Sequence, residues 1–213
     1  MMDNMMKKAV VFIALLCFFA ACRKTETPQG GESHVPYQPT YEVGDYYRND
    51  TLEGIVFWMY GAHNGLMVSL DETCLPWCLP GNINCETGAT NPYEGWNNTN
   101  ILMDVYDMSH YPAIQWSYLK NTWNLVNYPH RKIVNKQWYV PATTELRYLL
   151  QNQAAVNATL DSLGYPTLED KTYWSSTELG TRSAAALRMQ DSSIVVSESV
   201  KDQEFYVRAI RNF

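Results

Sequence analysis

The sequence predicts an α+β domain, mostly antiparallel sheets with two to four helices in the middle of the chain, on three observations. Runs rich in β-branched, aromatic and aliphatic residues occur over 43–70 and again over 173–211. Apolar residues at helical spacing fall between them. The order is therefore strands, then helices, then strands, which segregates helices from sheet rather than alternating the two.

Residues 43–47, 54–60 and 65–70, punctuated by Gly, Asn and Asp, read as the opening strands. After a Pro- and Gly-rich loop holding three cysteines, Asn98 or Thr99 can cap a helix that places Ile101, Leu102, Val105 and Tyr106 on one face. Tyr111-Pro112 starts a second helix, with Pro in its first turn and Ala113, Trp116 and Leu119 facing inward. Residues 120–136 are polar, with Trp123, Tyr128 and Ile133 interspersed, and read as a long surface loop. Thr143 is the expected N-cap of a third helix, with Glu145 in its first turn, where negative charge suits the helix dipole, and Leu146, Leu149 and Leu150 as its buried stripe. A fourth holds Ala155, Val156, Leu160 and Leu163 and ends at Gly164. Strands follow over 173–177, 184–189, 193–200 and 205–211; in the last, Phe205, Val207, Ala209 and Arg211 alternate with Tyr206, Arg208 and Ile210.

Ahead of this domain, the chain carries Lys7 and Lys8, an apolar run over 9–20, and the small residues Ala20-Ala21 directly before Cys22. Charged, apolar and small-residue regions in that order are a secretion signal, 1–21. The apolar run is well short of the roughly 20 residues that span a bilayer as a helix. The ending resembles the bacterial lipobox, which implies lipidation at Cys22 and a membrane partner through the acyl chains. The expected location is the outer membrane, on its cell-surface or periplasmic face. Residues 22–40, rich in Pro, Gly, Ser and Thr, read as a flexible tether, and 41–213 as the domain.

Without Lys7, Lys8 and Asp3, the Lys+Arg count of 16 falls to 14 and the Asp+Glu count of 22 to 21. Such an acidic chain is a poor partner for nucleic acid. Among Cys74, Cys78 and Cys85, two are expected to pair in an oxidising compartment, although spacing does not say which. A zinc site would need His63 or His110 as a further ligand, and no metal or other cofactor is expected. Seven Trp and fifteen Tyr are the compositional oddity, and most are assigned to the core. The most ligand-like segment is 72–98, where Trp77, Asn82, Asn84, Tyr93, Trp96, Asn97 and Asn98 mix aromatic faces with amides. Loops on a rigid scaffold are where binding concentrates. The alternative is that Trp77 and Trp96 plug the underside of the loop. A second candidate holds Trp123, Tyr128, His130 and Arg131.

The order of segments resembles a group of bacterial surface lipoprotein domains, the Lcl C-terminal-like or major paralogous domain group of the C-type-lectin-like superfamily. The resemblance rests on Val43-Gly44-Asp45-Tyr46-Tyr47, Glu53-Gly54-Ile55-Val56-Phe57, Val68-Ser69-Leu70, Trp138-Tyr139-Val140-Pro141-Ala142 with Glu145-Leu146, Tyr173-Trp174-Ser175-Ser176-Thr177-Glu178, and Val207-Arg208-Ala209-Ile210-Arg211. It implies a C-type-lectin-like fold in which the first and last strands pair and the termini lie close together. It also implies a binding or adhesion module for a glycan or protein at the cell envelope. The calcium-binding motifs of the calcium-dependent lectins are missing; Trp96-Asn97-Asn98 lacks the carboxylate, so the binding is not expected to depend on calcium. The alternative is a structural or assembly subunit of a surface appendage, with no ligand of its own.

An enzyme is not expected. The formylglycine-generating enzymes share the superfamily, but their late cysteine pair is absent, since nothing after Cys85 is cysteine. No nucleophile-elbow sequence is present, and Asp104 and Asp107 read as a solvated helix face, leaving no catalytic residue. Trp174-Ser175-Ser176-Thr177 reads as a core strand whose hydroxyls bond nearby backbone. Arg208 and Arg211 are expected to satisfy a partly buried carboxylate, Glu145 or Glu178. Thr51 and Ser162 lie in Asp-Ser/Thr-aliphatic triplets resembling sites of bacterial O-glycosylation.

Overall fold

The computed structural model describes residues 39–105, 107–121, 137–168 and 170–213. The signal, Cys22 and the tether up to residue 38 lie outside these, as do Tyr106, Trp123, Tyr128, His130, Arg131 and Ile133. Among the described residues are nine strands and four α-helices. Strands β1 (Tyr46–Asn49), β2 (Leu52–Met59) and β3 (Gly65–Val68) make an antiparallel meander, and β9 (Ile210–Asn212) lies beside β3. The second sheet has the order β4-β8-β5-β6-β7, built from β4 (Thr73–Pro76), β5 (Thr172–Gly180), β6 (Ser183–Gln190), β7 (Ser193–Val200) and β8 (Glu204–Val207). All its neighbours are antiparallel except β5 and β8, which meet in parallel at Tyr173 and Tyr206. Helices α1 (Gly95–Val105), α2 (Pro112–Leu119), α3 (Thr143–Gln151) and α4 (Gln153–Ser162) occupy the middle of the sequence, so the class is α+β.

Helix α3 touches β2 of the first sheet and β5, β6 and β7 of the second. Its stripe, Leu146, Leu149 and Leu150, is fully buried with Ile55, Phe57, Leu66 and Val68 from the first sheet and Tyr173 and Leu187 from the second. The burial of such large side chains, each contributing on the order of 2 kcal/mol, is what holds helix and sheets together. Trp77, Trp174, Leu102, Ile114 and Val207 form a second cluster, between the second sheet and helices α1 and α2. Helix α4 ends as expected, with Gly164 at φ 76° and Tyr165 N–H donating to Leu160 O at 2.9 Å. Asp191 and Ser192 turn β6 into β7 with φ of 47° and 62°, the two positive values of a tight hairpin turn that matches strand twist.

The chain crosses between the sheets twice, over 69–72 and at 208–209, and the two crossovers run side by side. Ser69 N–H donates to Ala209 O at 2.9 Å, and Ala209 N–H to Ser69 Oγ at 3.3 Å. Arg208 is buried between them. Its Nη1 donates to Ser69 O at 2.9 Å and Leu70 O at 3.0 Å, its Nε to Glu72 Oε2 at 3.1 Å, and its Nη2 to Pro166 O. Glu72 also accepts from Tyr173 Oη at 2.8 Å and from Lys171 Nζ. A planar guanidinium fork suits several fixed acceptors at once.

Several expectations are corrected. The last strand is two: β8 and β9 belong to different sheets, because Arg208 turns inward at the break. The first and last strands do not pair, since β9 lies beside β3, yet the two ends of the domain meet through rings, Tyr41 and Phe213 at 5.3 Å and Tyr47 and Phe213 at 4.9 Å. The cysteine loop contains strand β4. Helix α1 starts at Gly95, ahead of the expected caps: the Asn98 amide reaches Asn91 O and Ser176 Oγ, and Thr99 Oγ1 bonds back to Gly95 O, a pattern open to residues inside a helix. Helix α2 buries Ala113, Ile114, Ser117 and Tyr118, because it lies between two apolar clusters; Trp116 is half-buried and Leu119 exposed. The N-cap of α3 is Ala142, whose N–H donates to Glu145 at 2.8 Å.

Candidate functional site

The ligand-like residues of 72–98 divide between core and surface. Trp77 is fully buried and donates through Nε1 to Ser175 O at 3.0 Å, and its ring meets Tyr111 edge-on at 5.5 Å. Asn98 is buried, and Trp96, half-buried, packs against the main core. For Trp77 the underside plug is what the structure contains. Asn82 donates toward His110 Nδ1 at 2.9 Å on a short 3-10 turn (Pro80–Asn82), and Asn84 beside it is exposed. Tyr93, 68 % exposed, and half-buried Asn97 sit at the head of α1, where Asn91 Oδ1 accepts from Tyr93 N–H and Glu94 N–H. Among the described residues, no hydrogen bond joins Asn82 and Asn84 to Tyr93 and Asn97.

A buried ion pair fastens the loop. Lys201 Nζ donates to Glu178 Oε1 at 2.5 Å, to Cys85 O at 2.9 Å and to Thr181 O at 2.8 Å, with both side chains almost wholly buried. The Glu178 carboxylate also accepts Thr87 N–H at 2.9 Å and Gly88 N–H at 2.9 Å. Each group is then charged, paired and bonded to fixed backbone, the condition under which a buried charge is tolerated. Glu178 thus serves Lys201, and Arg208 serves Glu72, which corrects the expected pairing of Arg208 or Arg211 with Glu145 or Glu178. Arg211 lies over the Trp138 ring at 5.7 Å and donates to Asn212 O. Lys201 and Glu72 gave no signal in the sequence, since a lone Lys after a strand and a lone Glu in a loop look like surface charges.

Cys74, Cys78 and Cys85 are all free, which corrects the expected disulfide. Cys74 lies exposed on strand β4, whereas Cys78 is buried under the loop with Trp77, and burial pushes its thiol up to about 11. Cys85 Sγ, half-buried, faces Glu86 O at 3.7 Å. The histidines weighed as zinc ligands engage elsewhere, His63 with Pro39 O and His110 with Asn82. Among the described residues, no three His, Cys, Asp or Glu side chains group as metal ligands.

Glu145 is bound to two helix starts. Its Oε2 accepts Gly95 N–H at 2.9 Å and Ala142 N–H at 2.8 Å, and its Oε1 accepts the Tyr139 hydroxyl at 2.8 Å. Burial holds the carboxyl up at about 7 despite these bonds, with Glu94 adding in the same direction. The Tyr139 hydroxyl is raised too, by burial first and by Glu145 second. Gly95 is required by contact rather than by dihedral: a Cβ there would lie 2.2 Å from Val140 O. In the Trp174-Ser175-Ser176-Thr177 strand, Ser175 Oγ donates to Ala185 O at 2.9 Å and Thr177 Oγ1 to Asn91 O at 3.2 Å.

Two surface features escaped sequence reasoning. Trp58 and Tyr148 stack face to face at 4.0 Å with planes 6° apart, both half-exposed. Strand β7 is an edge of the second sheet, and Val195, Val196 and Val200 on it are exposed. Thr51 is exposed in the β1–β2 turn and Ser162 at the end of α4, where its hydroxyl donates to Thr159 O. No described helix is long and apolar enough to cross a membrane.

No protein-family model matches this chain, and none of the curated proteins does. Among solved structures, it is similar in fold to a fimbrial protein from Bacteroides ovatus, with a TM-score of 0.58 and 19 % identity over 80 % of the chain. The match covers 48 % of that protein, so this chain spans about half its length.

Proposed function

We propose that this protein is a lipid-anchored subunit of a bacterial surface appendage. The observation that carries the reading is the fold shared with a fimbrial protein at a TM-score of 0.58. The edge strand β7 supports it: an exposed edge presents unpaired backbone groups and is a ready template for another chain. This edge has no Pro or Lys, and its only charged residue is Glu198. A strand from a neighbouring subunit is the occupant it fits, with Val195, Val196 and Val200 supplying apolar contact. Cys22 is the proposed anchor, 22–40 the tether, and the outer membrane the location. A C-type-lectin-like fold belongs to this reading too, on the ordered motifs from Val43 to Arg211.

Cross-linking on intact cells with a photoreactive residue at position 195 tests it. Ladders of subunits are expected, and V196K should abolish them while leaving the protein folded. A parent protein that cross-links to nothing would sink the proposal. Labelling with an alkynyl fatty acid tests the anchor: C22S should carry no label.

A second reading, an adhesion module, is favoured by the exposed Tyr93 and the half-exposed Trp58–Tyr148 stack, since amphipathic rings are common at binding surfaces. Loss of binding to host-matrix or glycan arrays on Y93A or W58A would support it.

A further inference from the structure

The start of α4 and the β6–β7 hairpin border a hollow of about 410 Å³ that nothing above uses. Six of its seven lining residues are polar: Gln153, Asp170, Thr172, Arg188, Gln190 and Asp191. That size is within the range of small-molecule sites.

Among the described residues, three groups here receive no side-chain hydrogen bond. Gln153 Oε1 is shut off from solvent and receives no hydrogen bond. Among the described residues, none donates to the side chain of Asp170 or Asp191. That oxygen faces away from solvent, so a ligand in the hollow meets it only after the amide turns about its terminal torsion, which is broad and roughly two-fold. The cationic donor is Arg188, exposed on β6, whose Nη2 donates to Gln190 Oε1 at 2.6 Å.

The charges narrow the ligand. Two carboxylates disfavour phosphate, sulfate or another acid. The Arg188 guanidinium disfavours a simple amine or metal ion. Hydroxyl groups fit both, because each donates to a carboxylate or amide oxygen and accepts from a guanidinium. The geometry points to a binding site in this hollow for a small polyhydroxylated molecule, a saccharide of one or two rings or a linear polyol. None of its lining residues belongs to the aromatic loop over 72–98, and the site stands whether or not the chain is an appendage subunit.

The test is titration of the full chain with glucose, galactose, mannose, N-acetylglucosamine and sorbitol, followed through the backbone amide resonances. Calcium chloride and methylammonium chloride are run beside them. At least one sugar or the polyol should shift Thr172, Arg188, Met189 and Asp191 saturably, and the arms distinguish ring from linear ligand. Asp170 and Asp191 have φ of 51° and 47°, values that Asn accepts readily, so D170N/D191N keeps the fold. That variant should weaken binding by about tenfold or more, since hydrogen bonds to charged groups are the stronger ones. R188Q, at an exposed position, should weaken it as well. Shifts confined to Tyr93 and Trp96, affinity unchanged in D170N/D191N, a response to calcium or methylammonium alone, or no saturable response would each overturn the proposal.

Discussion

Arg208 and Glu145 each bond several segments distant in sequence, and both lend themselves to test. Removing the Arg208 guanidinium leaves Glu72 buried beside a cavity and frees the carbonyls of Ser69, Leu70 and Pro166. R208M should cost about 3–5 kcal/mol, the usual penalty for breaking a buried pair by removing one partner. R208K should recover little of it, because a point charge cannot serve acceptors spread around a planar fork. Urea midpoints read both. Glu145 sets a pH dependence of definite sign. Its folded value of about 7 lies above the ordinary 4.5, so the folded state holds that proton more tightly than the unfolded chain does. The stability from this group is full below 4.5 and is lost as pH rises through about 7, a loss of about 3 kcal/mol at 1.36 kcal/mol per unit. E145Q keeps an uncharged acceptor before Gly95 N–H and Ala142 N–H and should flatten stability across that window. Equal pH slopes in E145Q and the parent would refute the assignment. Sequence placed Glu145 in the first turn of its helix, but its partners come from residues 95, 139 and 142, which periodicity alone does not bring together.

At the level of elements, the cysteine loop shows what local pattern can and cannot reveal. Strands of the meander and helices α3 and α4 were legible because alternation and apolar spacing are set by the buried face of each element. Strand β4 was not: Thr73-Cys74-Leu75-Pro76 is four residues long, ends in Pro and carries no alternation of its own, and it pairs with β8, more than a hundred residues away in sequence. The loop beyond it is held by Lys201 and Glu178 rather than by a disulfide. Its order should therefore depend on that pair. K201M removes the cation and leaves Glu178 buried without its partner, so the segment around 85–88 should open. Cys78, a buried thiol held up at about 11, is inert in the closed loop and should react with maleimide-type reagents several-fold faster in K201M. The double variant K201M/E178Q removes both charges and should restore much of the protection. Equal Cys78 labelling in parent and K201M would show that Trp77 alone holds the loop down.

Over the whole molecule, the same two-sheet frame that fixes the interior leaves one long strand edge open, and the consequences of that edge differ from those of any interior substitution. Pairing order was beyond reach of the sequence because the final apolar stretch reads as one strand with unbroken alternation, whereas the chain divides it between sheets at a buried arginine. The edge at β7 follows from that order: with β8 paired between β4 and β5, β6 has β7 as its outer neighbour, and among the described residues β7 has none beyond it. Exposed Val195, Val196 and Val200 give the edge apolar surface, and charged residues on such an edge are how isolated domains resist pairing. V196K places a charge there without touching the core, so stability should change by no more than about 0.5 kcal/mol, as for other surface substitutions. Its effect should instead be on association: the parent chain, concentrated in solution, should sediment with a concentration-dependent weight-average mass, and V196K should remain monomeric at the same concentrations. An unfolding midpoint that falls along with association would mean that the substitution acts through the fold. A parent chain monomeric throughout would mean that this edge takes its strand from a different chain, and a peptide carrying that strand, added in excess, would then be the species that protects β7 amides from hydrogen exchange.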